Sequence, residues 1–190
     1  MLKLQDLKPS SDWVLEDNDE FLRRKCKDVT FPLSKEDSLL VNKMVNYIDA
    51  CYDNRCDEFG IRDGIAIAAP QVGCDKKIIY IHFTDGENEY RYLLANPEIT
   101  ATSVASCYLK GGEGCLSVNK DHRGHVKRFN KIRVEALDML HDNKKIIINA
   151  EGLFAICLQH EIDHLSGILY YDRINKKQKF LNNDASLIAY

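Results

Sequence analysis

The apolar positions change their spacing along the chain, and each spacing specifies an element. Leu40, Met44, Tyr47, Ile48 and Cys51 recur every three or four residues, which puts them on one side of a helix with ~3.6 residues per turn. Ser34 followed by Asp37 reads as a capping box at its start, so an amphipathic helix is predicted over 35–53. The chain then turns polar and charged until Gly64 opens Gly-Ile-Ala-Ile-Ala-Ala-Pro-Gln, a run too small-sided for ordinary core and expected to be a tightly packed loop or short strand. Lys76 to Phe83 and Tyr90 to Leu94 are β-rich and flank the turn-forming Thr84-Asp85-Gly86, which predicts a hairpin. Asn96-Pro97 is expected to end the second strand or mark its edge, because proline cannot donate to a ladder.

Lys110 to Gly114 is glycine-rich and leads into the short apolar segment Cys115-Leu116-Ser117-Val118. Ile132 to Leu137 and Lys145 to Ile148 read as a second antiparallel pair around an Asp142-Asn143 turn. Helical spacing returns over Gly152 to Leu165, where Leu153, Ile156, Cys157, His160 and His164 share a face and Gly167 supplies a C-terminal cap. There is no internal repeat and no regular alternation of strand and helix, which excludes a parallel α/β fold.

The second helix carries the chemistry. Residues 159–165 read Gln-His-Glu-Ile-Asp-His-Leu. On a helix turning ~100° per residue, positions i and i+4 lie ~40° apart and one turn up, so His160 and His164 aim at one spot and can share a metal ion. Glu161 sits ~60° round from His164, able to reach a metal-bound water but badly placed as a third ligand. The fold expected is therefore α+β, with antiparallel β-sheets packed around a central metal-binding helix and an N-terminal amphipathic helix.

Composition narrows the setting. At 190 residues the chain suits one domain, residues 1–190, large enough to bury a core without a structural metal, so a bound ion is free to be catalytic. Apolar residues make up 45% and charged residues 29%, which excludes disordered and fibrous classes. A net charge of −3 argues against DNA or other general nucleic-acid binding. The N-terminus has no apolar core of signal-peptide length, and no run approaches the ~18 apolar residues of a membrane span, so a cytoplasmic protein without membrane attachment is expected. Seven cysteines without a CxxC pair argue against a disulfide framework and suit small buried apolar positions. Cys115 stands apart from the other six because the glycines before it let its backbone approach another element closely, so a thiolate there can reach the two histidines. His82, His122, His125 and His141 are expected on the surface or in turns.

Three separated segments, Gly64 to Gln71, Glu113 to Ser117 and Gln159 to Leu165, together resemble the three motifs of the peptide deformylases. The similarity extends through Leu22-Arg23, Phe31-Pro32-Leu33, Asn96-Pro97-Glu98-Ile99 and Asp172, and the extra residues around 100–111 resemble the longer, insertion-bearing bacterial class. The resemblance implies a metallohydrolase that removes the N-formyl group from the N-terminal formylmethionine of newly made polypeptides. It implies Cys115, His160 and His164 as metal ligands, Fe(II) as the physiological ion with Zn, Ni or Co in preparations, and a metal-bound water activated by Glu161 as general base and then acid. The Gln71 side-chain amide and the Leu116 backbone N–H are the implied donors to the oxyanion.

A methionine pocket is implied beside Gly64, Ile65, Ala66, Ile156 and Cys157, with the face of His160. Ala66 and Ile67 stand where the family commonly has glycine and leucine, so the methyl of Ala66 projects where substrate backbone would lie close. Arg173, Lys176, Lys177 and Lys179 offer a ribosomal-RNA contact near emerging chains, although four charges make a small patch and a solvated face is the simpler account. Two other functions share parts of this pattern. A general metallopeptidase uses the same His-Glu-x-x-His helix but usually a histidine or carboxylate as third ligand, and a metal-binding or redox-sensing module has no use for Glu161.

Overall fold

The computed structural model describes residues 4–120, 122–182 and 184–190. In chain order its elements are α1 (Lys35–Tyr52), α2 (Cys56–Phe59), β1 (Ala66–Ala68), β2 (Ile78–Asp85), β3 (Asn88–Thr102), β4 (Ser106–Tyr108), β5 (Arg128–Phe129), β6 (Lys131–Asp138), β7 (Lys144–Glu151), α3 (Gly152–His164) and β8 (Leu187–Ala189). Four short 3-10 turns complete the set, at Ser11–Trp13, Glu20–Arg23, Ala69–Val72 and Tyr170–Arg173. The architecture is α+β, as expected, with a five-stranded antiparallel sheet in the order β1-β2-β3-β6-β7 and a small sheet in the order β5-β4-β8. Within the small sheet β4 and β8 run parallel, the exception to the antiparallel rule.

The main sheet lies between the two long helices, and its strands record that in their side chains. Along β2, Ile78 and Tyr80 join Val41, Met44, Val45 and Ile48 of α1, whereas Ile79, Ile81 and Phe83 join Phe154, Ala155 and Leu158 of α3. A strand covered on both faces is buried at every position, which is why Ile78 to Phe83 is apolar but for His82. In β6 only Ile132, Val134 and Ala136 turn toward α3, and Lys131, Arg133 and Glu135 alternate outward. Each fully buried Leu or Ile of these layers stabilises the fold by ~1.5–3 kcal/mol relative to an exposed one.

Local signals hold where they were strongest. Ser34 Oγ accepts from Asp37 N at 2.9 Å and caps α1. Gly86 adopts φ +60° in the β2–β3 turn, and Asp142 and Asn143 adopt φ +56° and +57° between β6 and β7. Asn96-Pro97, by contrast, does not end its strand. β3 runs on to Thr102, and the pairing with β6 shifts register between Ala95 and Glu98, so a bulge absorbs the proline. Asn96 takes φ +52° there and its side chain exchanges hydrogen bonds with Val29 N and O at 2.7 and 3.0 Å.

The N-terminal segment ties the three motif regions together. Leu15 N donates to Gln71 O at 2.8 Å and Asp17 N donates to Ser117 O at 2.8 Å. Cys26 N donates to Leu165 O at 2.9 Å, and Gly167, at φ +72°, closes the end of α3 so tightly that a Cβ would collide with the Arg23 carbonyl. Arg23 also pairs with Asp172.

Candidate metal centre

α3 is buried along almost its whole length, so each polar side chain on it needs a partner. Gln159 fastens it to β5: its Oε1 accepts from Phe129 N at 3.0 Å and its Nε2 donates to Phe129 O at 2.9 Å. One residue on, His160 and His164 lie a turn apart with ring centroids 5.1 Å apart and planes inclined at 63°. Facing them, the segment after Gly114 brings up Cys115, whose Sγ lies 3.3 Å from His164 Nε2. One donor atom from each of Cys115, His160 and His164 lies within 4.8 Å of the others. Neighbouring donors of a tetrahedral site with metal–sulfur ~2.3 Å and metal–nitrogen ~2.0–2.1 Å lie about 3.5 Å apart, so these residues fit an ion.

A chain of buried charges stands behind the ligands. His160 Nδ1 lies 2.8 Å from Glu113 Oε2, which orients the ring and leaves Nε2 toward Cys115 and His164. Arg128 grips Glu113 in a fork, Nε to Oε1 and Nη2 to Oε2, both at 2.8 Å, and its Nη1 reaches Asp163, which also pairs with Arg173. Burial would raise the Glu113 carboxyl, but Arg128 and His160 overcome it and hold it at about 2. Burial likewise opposes charge on His160, yet Cys115 and Glu113 raise its pKa well above the ordinary value; the same negative surroundings favour a cation. His164 is lowered well below its ordinary value by burial and by His160, which keeps it a neutral imidazole.

Glu161 is buried, and its Oε2 has no hydrogen-bond partner among the described residues. Burial pushes its carboxyl up to about 7, with the charges of Glu113 and Asp163 adding to the effect and His160 and Arg128 opposing it. Gln71, 1% exposed, is fixed through Oε1, which accepts from Ala68 N at 2.8 Å. Its amide nitrogen consequently faces the centre, 3.1 Å from Ser117 Oγ and 3.5 Å from Cys115 Sγ.

A cavity of about 350 Å³ opens beside these groups. Gly64, Ile65, Ala66, Gln71, Cys115, Leu116, Ile156, Cys157, His160 and Glu161 all line it, so every residue expected as a metal ligand, catalytic group or methionine-pocket wall except His164 borders one space, and His164 lies directly behind Cys115. Gly64 favours this closeness, since a Cβ there would fall 3.0 Å from the Leu116 side chain and push it aside by a few tenths of an ångström. Ile65 forms the half-open rim at 40% exposure, whereas Ala66 is buried where the α3-side core meets the cavity wall.

Some functional neighbours carry no mark in the sequence. Arg128, Asp163 and Arg62 enter through long-range contacts, and Glu113 lies in the second motif-like segment without a duty until its contact with His160 is seen. Two histidines correct the surface expectation. His82 is buried between Asp49 at 2.6 Å and Glu89 at 3.1 Å, with its ring stacked on Tyr52, and His125 is buried where its Nδ1 accepts from Leu181 N at 2.9 Å. Of the basic C-terminal residues, Arg173 is drawn inward to Asp163, and Lys176, Lys177 and Lys179 are exposed on irregular chain and not on a helix.

The sequence model of the family described as Polypeptide deformylase matches residues 11–180. A peptide deformylase of Malacoplasma penetrans is 47% identical over 174 residues, covering 92% of this chain and 93% of the relative. The crystal structure of a probable peptide deformylase from Synechococcus phage S-SSM7 superposes with a TM-score of 0.67 at 37% identity, covering 84% of this chain and 97% of the other. A class I type b peptide deformylase from Acinetobacter baumannii, solved with Met-Ala-Ser bound, gives a TM-score of 0.68 at 28% identity over 90% of this chain and all of that one, a share of 100%.

Proposed function

The chain belongs to the peptide deformylase family, metal-dependent hydrolases that remove the N-formyl group from nascent polypeptides, and we propose that Cys115, His160 and His164 hold its divalent ion while Glu161 moves the proton. The observation that carries this reading is the buried Glu161 Oε2, without a hydrogen-bond partner among the described residues, beside three convergent soft and borderline donors. The ion, when bound, supplies Lewis acidity toward water and the formyl oxygen.

Glu161 takes a proton from the attacking water and returns it to the departing amine, and a carboxyl held at about 7 is suited to both roles at neutral pH. Gln71 is a donor that needs no reorganisation, because the Ala68 N–H already fixes which way its amide faces. The Leu116 backbone N–H is the second donor to the oxygen on which charge develops, each worth ~3 kcal/mol. Ile65, Ile156, Cys157 and the face of His160 receive the unbranched methionine side chain, and the neighbour that binds Met-Ala-Ser, a peptide beginning with methionine, supports this use of the cavity.

One thiolate with two imidazoles suits Fe(II), Zn, Co or Ni, and Fe(II) is proposed as the working ion, sensitive to oxygen beside a thiolate. Lys176, Lys177 and Lys179 are proposed to touch ribosomal RNA, a contact that salt-sensitive co-sedimentation would show and that removal of the residues after Arg173 should abolish. The central test is purification without air, metal analysis, and formyl release from a formyl-methionyl peptide beside a peptide-bond control. Formyl release with one tightly held ion is expected; peptide-bond cleavage without formyl release would overturn the reading.

A further inference from the structure

A second set of donors, two thiols and a carboxyl, converges beside the catalytic cavity, whose rim Asp63 also borders. Cys51, near the end of α1, Cys56, at the start of α2, and Asp63, before β1, each place one donor atom within 4.8 Å of the other two. We propose that these three side chains form a second metal site, for a thiophilic divalent ion of the zinc class. Two thiolates and a carboxylate are a donor set zinc accepts readily, with water taking the fourth tetrahedral position.

The three residues lie close because the backbone between them folds back on itself. Arg55 N donates to Ala50 O at 2.8 Å and Ile61 N donates to Cys56 O at 3.0 Å, with Gly60 between them at φ +61°. The present partners of the sulfurs are weak ones: Cys51 Sγ lies 3.5 Å from Arg62 O and Cys56 Sγ lies 3.8 Å from Asp63 Oδ1. Little hydrogen bonding is therefore given up when an ion replaces both thiol protons, which leave to solvent, although burial holds both thiols above their ordinary range and the ion must itself drive that loss. Burial is graded from buried Cys51 through half-buried Cys56 to exposed Asp63, which supplies an anchored inner ligand and an open path of entry. Closing the triangle on buried Cys51 needs half-buried Cys56, at the edge of the α1-side core, and exposed Asp63 to move inward.

The site also has a route to the catalytic cavity. Arg62, next to Asp63, donates from Nη1 to Leu116 O at 3.1 Å, Val118 O at 3.0 Å and Asn119 Oδ1 at 3.1 Å, and Arg62, Asp63 and Gly64 line the cavity rim. An ion at Cys51, Cys56 and Asp63 thus staples α1 to the rim that faces Leu116.

The test counts ions and not turnover, so its failure leaves the catalytic reading standing. Protein purified with its catalytic ion is titrated with zinc chloride and followed by native mass spectrometry. Two ions per chain are expected for the unaltered protein and one for Cys56→Ser, with formyl release by the variant within twofold. A second measurement needs no variant: alkylation of Cys56 by iodoacetamide should slow at least tenfold on zinc addition and recover with a chelator. A single ion on the unaltered protein, unchanged alkylation of Cys56, or a Cys51–Cys56 disulfide recovered in place of an ion would each overturn the proposal.

Discussion

The two cysteine-bearing clusters differ less in their ligand atoms than in what stands behind them. At Cys115, His160 and His164 the supporting groups are buried and connected: Glu113 orients His160, Arg128 holds Glu113, and Asp163 joins Arg128 to Arg173. At Cys51, Cys56 and Asp63 the supports are backbone carbonyls and solvent, and only one of the three residues is buried. A braced centre keeps its geometry whether or not its ion is present, which is what repeated turnover through one fixed arrangement requires. An unbraced cluster acquires its geometry from the ion, which suits a staple.

The contrast can be broken from the braced side first. Glu161→Gln should retain the ion yet lose about 10³-fold in kcat, because the amide keeps the shape and cannot carry the proton; metal content measured beside formyl release separates the two, and persistent turnover would remove Glu161 from its role. Glu113→Gln attacks the support alone. It should weaken metal affinity by about 10–100-fold in chelator competition, and also lower stability by ~3 kcal/mol in denaturant titration, because Arg128 is left as a buried charge with a partner missing. Equal metal retention in the variant would show that the relay serves folding only.

The smallest effect concerns Ala66, where substrate fit and core packing meet. Ala66→Gly should raise kcat/KM on formyl-methionyl peptides severalfold by removing the methyl from the cavity wall, while lowering stability by ~0.5–1 kcal/mol because the strand gains unfolded-state freedom. Steady-state kinetics with thermal unfolding tests both, and an unchanged or lower kcat/KM would return Ala66 to a packing role alone.

What was readable in the chain follows the range of the interaction concerned. The two long helices were legible because their periodicity and the Ser34 cap are decided within a few residues, and the histidine pair because helix geometry alone brings i and i+4 together. Cys115 became legible through motif order, since glycine-rich backbone shows where close approach is allowed but not to what. The relay was hidden: Arg128 and Asp163 are 35 positions apart, Arg128 does not differ in sequence terms from a surface charge, and Asp163 sits in the third motif with no sign of its partner. The small sheet escaped for the same reason, its β4 and β8 strands being three residues each and joined across most of the C-terminal half. Asn96-Pro97 misled because proline forbids a ladder bond only locally, and a bulge lets the strand resume. His82 and His125 misled because β-strand and loop histidines gain burial from partners such as Asp49 and Leu181 N that the pattern does not display.

The seam where Gly167 meets Arg23 has a consequence for how the molecule breathes. Cys26 N holds Leu165 O, Arg23 holds Asp172, and no side chain fits between Gly167 and the Arg23 carbonyl, so residues 22–26 and the exit of the histidine-bearing helix share one set of bonds. Amide protons on both sides of that seam should be exposed by the same opening event and exchange as one cooperative unit. Loosening of residues 22–26 would therefore be felt at the end of the helix that carries His164.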